Sequence, residues 1–411
     1  MRALVFEAYL AGHRGQYAGL LATELVRLGV ETKIAIPVNQ RDIPEFEITL
    51  GHLRNKAEFV LLPELNYQRR NIVKAPELAA LQTAVKRVRP DHVYVPFADV
   101  ICRQMAFPWN RSCRKVAECP VEGLVMLTRG AYPANGLKER LRSRWVDHCI
   151  MSSAFERLHT LDALSYQYMK ARTSNAVFLM PEAIPTTDHQ SKTEARRILR
   201  LPTKQTIITC PGGVQERKGA HLLIEAVRRL KHTNVCLALI GRHSPYMKNF
   251  VAEQCAQLIA DGRLITRNEF TTNEEFDLLF RAGDILAVPY PEHHGSASIL
   301  IRAAKSGRKV ITSDRGWPGR MATEHGLGVA VNVSNPDQFA AALGTMISTS
   351  TAKPTPRSQE FLRFHSLENY LAHWTELIGR KHNILTRKPV PFLEAREQTT
   401  APASESARHA A

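Results

Sequence analysis

Residues 281–316 read RAGDILAVPYPEHHGSASILIRAAKSGRKVITSDRG, and the fold turns on how that stretch is parsed. Ile285–Val288 is a short apolar run with strand character. Residues 289–295 carry Pro289, Pro291 and Gly295, which mark a loop. From 296 to 305, Ile299, Leu300 and Ala303 recur at helical spacing, and Gly307 stops the helix. Val310, Ile311 and Thr312 are β-branched again and run into Ser313, Asp314, Arg315 and Gly316. Strand, helix, strand implies a parallel pair with a crevice at its carboxyl ends, where open α/β sheets bind ligands. The loop at that crevice supplies Glu292, His293 and His294. The helix behind it aims backbone N–H groups at the contents, which suits an anion.

A second stretch upstream has the same grammar. Residues 207–210 are strand-like, PGGVQERKG follows, and HLLIEAVRRL is an amphipathic helix. Gly212, Lys218 and Gly219 form G-x5-K-G between strand and helix. Together the two stretches resemble the donor-binding half of retaining GT-B glycosyltransferases, family 4. That half carries G-x5-K-G and later an E-x7-E motif running into an Ala-rich helix, a small residue, Gly and a strand, and RAAKSGRKVITSD looks like that later piece. The resemblance covers residues 181–348 well and the first half more loosely. It implies an α/β chain of two Rossmann-like domains facing a cleft, each a parallel sheet covered by helices on both faces. It also implies transfer of a sugar from a nucleoside-diphosphate sugar to an acceptor hydroxyl with retention, in work such as polysaccharide biosynthesis. No cofactor or metal is implied, because protein cations take the charge.

Composition narrows the alternatives. The chain has 411 residues, 44% of them apolar, enough for two or three packed domains. No apolar run approaches the roughly 20 residues needed to span a bilayer. The opening MRALVFEAYLAGHRG is interrupted by Glu7 and reads as a first strand rather than a signal peptide. Seven scattered cysteines lack metal-ligand spacing, and they point to a reducing cytoplasm. The net charge of +16 is shared by both halves and is densest from Arg103 to Arg144. A solvated basic face explains this; so does attraction to anionic head groups at the inner membrane face, or to phosphorylated substrates. No nucleic-acid-binding module is present.

In chain order, residues 2–6 read as a buried strand. Gly12 to Tyr17 read as a loop opening a helix over 18–28, and residues 33–36 as the next strand. The glycines at 12, 15 and 19 do not give G-x-G-x-x-G, and the second strand ends in Pro37, Val38 and Asn39, so a nicotinamide site is disfavoured. His13, Arg14 and Gly15 are cleft residues or merely cap the helix. Residues 45–74 read as variable acceptor-side loops, 76–89 as a helix, and 92–96 as a strand that places Asp99 at its end. Residues 125–127 and 149–152 read as further strands, with TRGAYPANGLKER as a loop toward the acceptor. The expected domains are 1–182 on the acceptor side and 183–360 on the donor side. A helix over 361–379 returns to the first domain, and residues 380–411 form a disordered tail.

The chemistry follows from the leaving group. Negative charge develops on the departing diphosphate, so a preorganised cation and a helix amino end lower the barrier. Lys218 is placed for that, or else ERKG is only a charged turn. The resemblance adds Glu292 or His294 near the donor sugar, with Gly212, Gly213, Arg217, Gly295, Ser296, Arg302 and Asp314 around the donor. Two departures stand out. The Arg that usually follows the first Gly is Gly213 here. The second Glu, which grips the ribose in the family, is Leu300 or Arg302 depending on the alignment. A protein with the same fold that binds or scaffolds without catalysis is the alternative those departures raise. The partners expected are the nucleotide-sugar donor, a glycan, lipid-linked or small-molecule acceptor, and an anionic membrane surface. Adjacent His293 and His294 point apart, which argues against a shared metal ion.

Overall fold

The computed structural model describes residues 1–66, 75–106, 116–126, 128–134, 136–185, 191–231, 234–349, 354–382 and 388–392. Strands and helices alternate through the first half: β1 (Arg2–Phe6), α1 (His13–Arg27), β2 (Glu31–Pro37), α2 (Pro44–Thr49), β3 (Glu58–Leu62), α3 (Pro76–Val88), β4 (His92–Val95), α4 (Asp99–Ala106), β5 (Val121–Val125), α5 (Leu137–Met151), β6 (Arg157–Thr160), α6 (Ala163–Lys170) and β7 (Ala176–Leu179). The strands pair in parallel in the order β3-β2-β1-β4-β5-β6-β7. Each central strand is apolar on both sides, as a helix-covered parallel sheet requires. Leu4 and Phe6 enter one core with Leu81, Ile101 and Ile150 of α3, α4 and α5, while Ala3 and Val5 enter another with Leu21 and Leu25 of α1.

The second half repeats the plan: α7 (Lys192–Ile198), β8 (Thr206–Thr209), α8 (Ala220–Arg229), β9 (Val235–Ile240), α9 (Pro245–Gln254), α10 (Ala256–Ala260), β10 (Leu264–Arg267), α11 (Asn273–Ala282), β11 (Ile285–Val288), α12 (Ser298–Lys305), β12 (Lys309–Ser313), α13 (Gly316–His325), β13 (Val329–Val331) and α14 (Pro336–Ser348). Its sheet is also parallel, in the order β10-β9-β8-β11-β12-β13. The strand order reverses between β1 and β4 in the first sheet, and between β8 and β11 in the second. At such a switch point the two neighbouring loops diverge and open a crevice.

Two helices close the chain, α15 (Pro356–Phe364) and α16 (Leu367–His382). The expected single helix over 361–379 breaks at His365, where Ser366 Oγ accepts the N–H of Asn369 and starts a new helix. Phe361 stays in the second half's core beside Trp317. Tyr370, Trp374 and Ile378 of α16 lie in the core between the first sheet and α1. Trp374 meets the ring of His159 at a tilt, 4.9 Å away, and that of Tyr94 edge-on at 5.8 Å. Beside it, Glu122 is buried with an oxygen 2.9 Å from His92 Nε2 and 3.0 Å from Arg157 Nη1, and the other 2.9 Å from His159 Nε2.

Other local expectations change too: the strand expected at 125–127 is β5, which ends at Val125, and the loop expected over 128–140 gives way to α5 at Leu137. His13 to Tyr17 belong to α1 rather than to a loop, because Gly15 lets the first turn pack on Leu10, whose oxygen would lie 2.3 Å from a Cβ there. Cys149 to Met151 end α5, and the strand follows at Arg157–Thr160; a short apolar run cannot by itself separate a buried helix turn from a strand. Residues 45–66 contain α2 and the edge strand β3, whose half-exposed Phe59, Val60 and Leu61 give no clean alternation. Leu127, Asn135, Cys113, the remainder of that segment (67–74), residues 186–190 just past the expected domain boundary, and most of the tail (383–387, 393–411) lie outside the described residues.

Candidate functional site

The switch point of the second sheet brings together the loops after β8 and β11. Gly212 has φ +91, a left-handed conformation that side chains rarely adopt. A Cβ there would stand 2.8 Å from Lys218 Nζ, 3.5 Å from Phe276 Cε2 and 3.7 Å from Ile299 Cδ1. Lys218 ends one tight 3-10 turn, Glu216–Lys218, and Gly219 at φ +76 begins α8. A Cβ on Gly219 would approach Pro289 to 2.8 Å, so glycine lets the two loops touch. Tyr290 N–H donates to Lys218 O at 3.2 Å, with Tyr290 itself at φ +33. For a residue other than glycine that conformation costs roughly 1–3 kcal/mol, and the surrounding contacts must hold it.

Lys218 is only 8% exposed. Its Nζ lies 6.0 Å from the Tyr290 ring, and it has no carboxylate or hydrogen-bond acceptor as a partner among the described residues. Burial draws its pKa below the ordinary 10.5; Cys210 opposes the shift and Arg217 adds to it. A buried, unpaired ammonium is costly unless an anion joins it. His293 stands next to this group, its ring 4.9 Å from Tyr290 and its Nε2–H donating to Ser296 O at 3.2 Å. Burial lowers its pKa, and the nearby cations Arg217 and Lys218 reinforce that. The neutral ring therefore keeps Nδ1 as an acceptor. A cation, a neutral acceptor and the amino ends of α8 and α12 form a setting for a phosphorylated, hydroxyl-bearing ligand.

The first lobe faces this site through His13, Tyr17, Met126, Asp162 and Glu182, which enclose with Ser296 and Ser298 a small cavity of ≈ 80 Å³. Tyr17 OH donates to Glu182 Oε2 at 2.6 Å. Tyr132 OH donates to Asp162, which also accepts from Ser165 Oγ at 2.6 Å and caps α6 at Leu164 N–H. Ser296 Oγ is buried there without a hydrogen-bond partner among the described residues. The loop holding these groups is also where the lobes meet. A Cβ on Gly295 would stand 2.8 Å from Met126 O, and His294 meets the Tyr132 ring edge-on at 5.1 Å. A larger cavity of ≈ 530 Å³ lies between residues 116–121 and 153–156, at the amino ends of β5 and β6 and away from either switch point.

Of the residues singled out in the sequence, Gly212, Lys218, Gly295 and Ser296 converge on this site. His294 turns toward the first lobe, and its neighbour His293 takes the place beside Lys218. Glu292 is exposed and close enough to raise the His294 pKa, against the larger lowering by burial. Gly213 has no atom nearer than 3.4 Å to a Cβ, and Arg217 is exposed with Nε on Gln215 Oε1 at 2.7 Å. Arg302 pairs with Asp277 Oδ1 at 3.0 Å and lies 5.6 Å from the Phe276 ring. Asp314 is exposed at the end of β12. In the first lobe His13 lines the cavity, but Arg14 pairs with buried Glu7 at 2.7 Å and stacks 4.2 Å from Phe97. Gly15 packs on Leu10, and Asp99 accepts Met126 N–H at 3.0 Å as part of the scaffold. Sequence reasoning passed over Tyr290, Phe276 and Ser298. A tyrosine between two prolines at a strand's carboxyl end was the one usable signal.

Among the described residues no group of three or more His, Cys, Asp or Glu side chains is arranged to hold a metal ion, and no helix is long and apolar enough to cross a membrane.

The two-domain fold recurs in known proteins. Residues 205–349 match the family model described as Glycosyl transferases group 1. A curated relative, D-inositol 3-phosphate glycosyltransferase of Corynebacterium urealyticum, is 24% identical over 160 residues, 38% of this chain and 38% of its own length. HepE of Anabaena, solved with UDP and glucose, superposes with TM-score 0.67 at 14% identity, over 92% of this chain and 100% of that one. A sucrose-phosphate synthase of Thermosynechococcus elongatus gives 0.70 at 14% identity, over 93% and 99%. A glycosyltransferase of Rickettsia africae gives 0.65 at 14% identity, over 92% and 98%. The two parallel-sheet α/β domains are thus those of a GT-B fold, with a glycosyl transferases group 1 match in the second.

Proposed function

We propose that this protein is a glycosyltransferase that moves a sugar from a nucleoside-diphosphate donor to an acceptor hydroxyl with retention of configuration. One observation carries the reading: the buried, unpaired ammonium of Lys218 at the switch point of the second sheet. A departing diphosphate is the anion such a group suits, because charge grows there as the glycosidic bond breaks. Gly212 leaves room for the phosphate beside Nζ, and exposed Arg217 is near enough to add a second cation. His293 Nδ1 is placed to accept from a donor-sugar hydroxyl, and Ser296 Oγ to bond sugar or acceptor. The first lobe, through His13 and Tyr17, offers the acceptor its wall. Among the structural relatives, HepE was solved with UDP and glucose, which supports a nucleotide-sugar donor here. Retention rests on the resemblance of the G-x5-K-G and Ala-rich-helix segments to retaining enzymes. Charge stabilisation by Lys218 leaves no step that calls for a metal.

The test is turnover. Incubated with a panel of nucleoside-diphosphate sugars, the protein releases nucleoside diphosphate from at least one, and Lys218→Ala slows that release by ~10²–10³. Equal rates from the two proteins would remove Lys218 from the chemistry.

A further inference from the structure

Helix α5 carries two faces of opposite use. Val146, Asp147, Cys149 and Ile150 point into the first lobe. On the other side Leu137, Leu141 and Trp145 fall at i, i+4 and i+8 and are 69%, 56% and 42% exposed. At 100° per residue this stripe is centred opposite the buried side, with exposed Lys138 and Arg142 along one flank and exposed Arg140 and Arg144 along the other. The two acids of the helix do not share that surface, since Asp147 is buried and Glu139 is half-buried on the inner side. Arg129 is crowded by Arg142 of that helix and by Arg103 of α4; burial lowers its pKa first, and these two cations add to the shift. Solvent alone does not explain three large apolar side chains in line between two rows of cations. That is the layout of a helix lying in the plane of an anionic interface, with apolar groups among the acyl chains and cations at head-group level.

The amino end of α5 also adjoins the cleft. Glu139 acts on both Arg129 and His294, and His294 is the residue of the second lobe that meets Tyr132.

We infer that the outward face of α5 docks on an anionic lipid bilayer and holds the mouth of the cleft at head-group level, so that the acceptor is a lipid-linked molecule. The docking stands independently of the transferase reading; the nature of the acceptor rests on it. The full chain is mixed with vesicles of phosphatidylcholine alone, or phosphatidylcholine with phosphatidylglycerol, and sedimented. Binding is expected only with phosphatidylglycerol and falls as salt rises. Arg140→Gln/Arg144→Gln weakens it about fivefold per cation removed, and Leu141→Ser/Trp145→Ser weakens it at low and high salt alike. These side chains are exposed, and thermal melting matching the parent shows that each variant is folded. Binding equal on both vesicles, unchanged in folded variants, or outcompeted by a DNA duplex overturns the docking. Lys218→Ala binds vesicles as the parent does, so loss of turnover there leaves the docking intact. With docking upheld, faster transfer to a water-soluble acceptor than to one carried in the vesicles overturns the acceptor class.

Discussion

The ammonium of Lys218 occupies the space that a side chain at position 212 would take, 2.8 Å from where that Cβ would be. Cation and glycine therefore form one feature. The chain keeps a residue without a side chain so that a largely buried cation with no carboxylate partner among the described residues can sit there.

That arrangement trades stability for binding. Lys218→Met removes a buried charge and is expected to stabilise the fold by about 1–4 kcal/mol. The sign of the pH dependence follows. The folded pKa of Lys218 lies below 10.5, so its cost is fully present below that folded value. The cost is relieved as pH climbs from there toward 10.5, because the unfolded chain then holds the extra proton. Denaturant midpoints of the two proteins differ by a constant amount at neutral pH and converge under alkaline conditions.

Gly212→Ala meets two obstacles, a left-handed backbone and the Lys218 ammonium. The expected outcome is a loss of about 1–2 kcal/mol in stability and weaker diphosphate binding, because Nζ must move. Thermal melts and titration calorimetry on the same sample measure both.

Gly213→Arg faces no such barrier, since its Cβ would meet nothing closer than 3.4 Å. It restores the cation that the resembling enzymes carry after their first glycine. Diphosphate binding should tighten roughly tenfold, the value of one added charge-assisted hydrogen bond. A calorimetric titration of the variant checks this.

Glu122 sets the acid limit of the first lobe. Burial alone would raise its pKa, but hydrogen bonds from His159 and His92 outweigh that and hold the carboxyl far below the usual carboxylate range. Its contribution is therefore complete above its ordinary 4.5 and drains away as pH falls below it. Glu122→Gln should cost about 3–5 kcal/mol at neutral pH, by stranding buried partners, and should flatten the acid limb of the stability curve. Urea midpoints from neutral pH down to acid measure it.

How much was readable in advance depends on the range of the interaction. The β11–α12–β12 unit declared itself through loop residues and apolar spacing, and Gly212, Lys218 and Gly219 through their separation; all are local. Edge strand β3 hid because a strand half-open to water loses its alternation. Cys149 to Met151 looked like a strand because their helix buries one side only at its far end. Which histidine stands beside Lys218 was decided by the turn at Tyr290 and by Tyr132 from the other lobe, neither visible in a linear reading. Arg302 looked free to meet a ligand until α11 supplied Asp277. Arg14 likewise looked like a cleft residue until Glu7, the residue after β1, paired with it.

The most direct measurement is titration calorimetry of the full chain with UDP, ADP and GDP, repeated with Lys218→Ala. Saturable binding of at least one diphosphate to the parent is expected, with a loss of about 10²-fold in the variant, the value of a charge-assisted contact in a buried site. Equal affinity for parent and variant, or no binding of any nucleoside diphosphate by the parent, would contradict the proposed function.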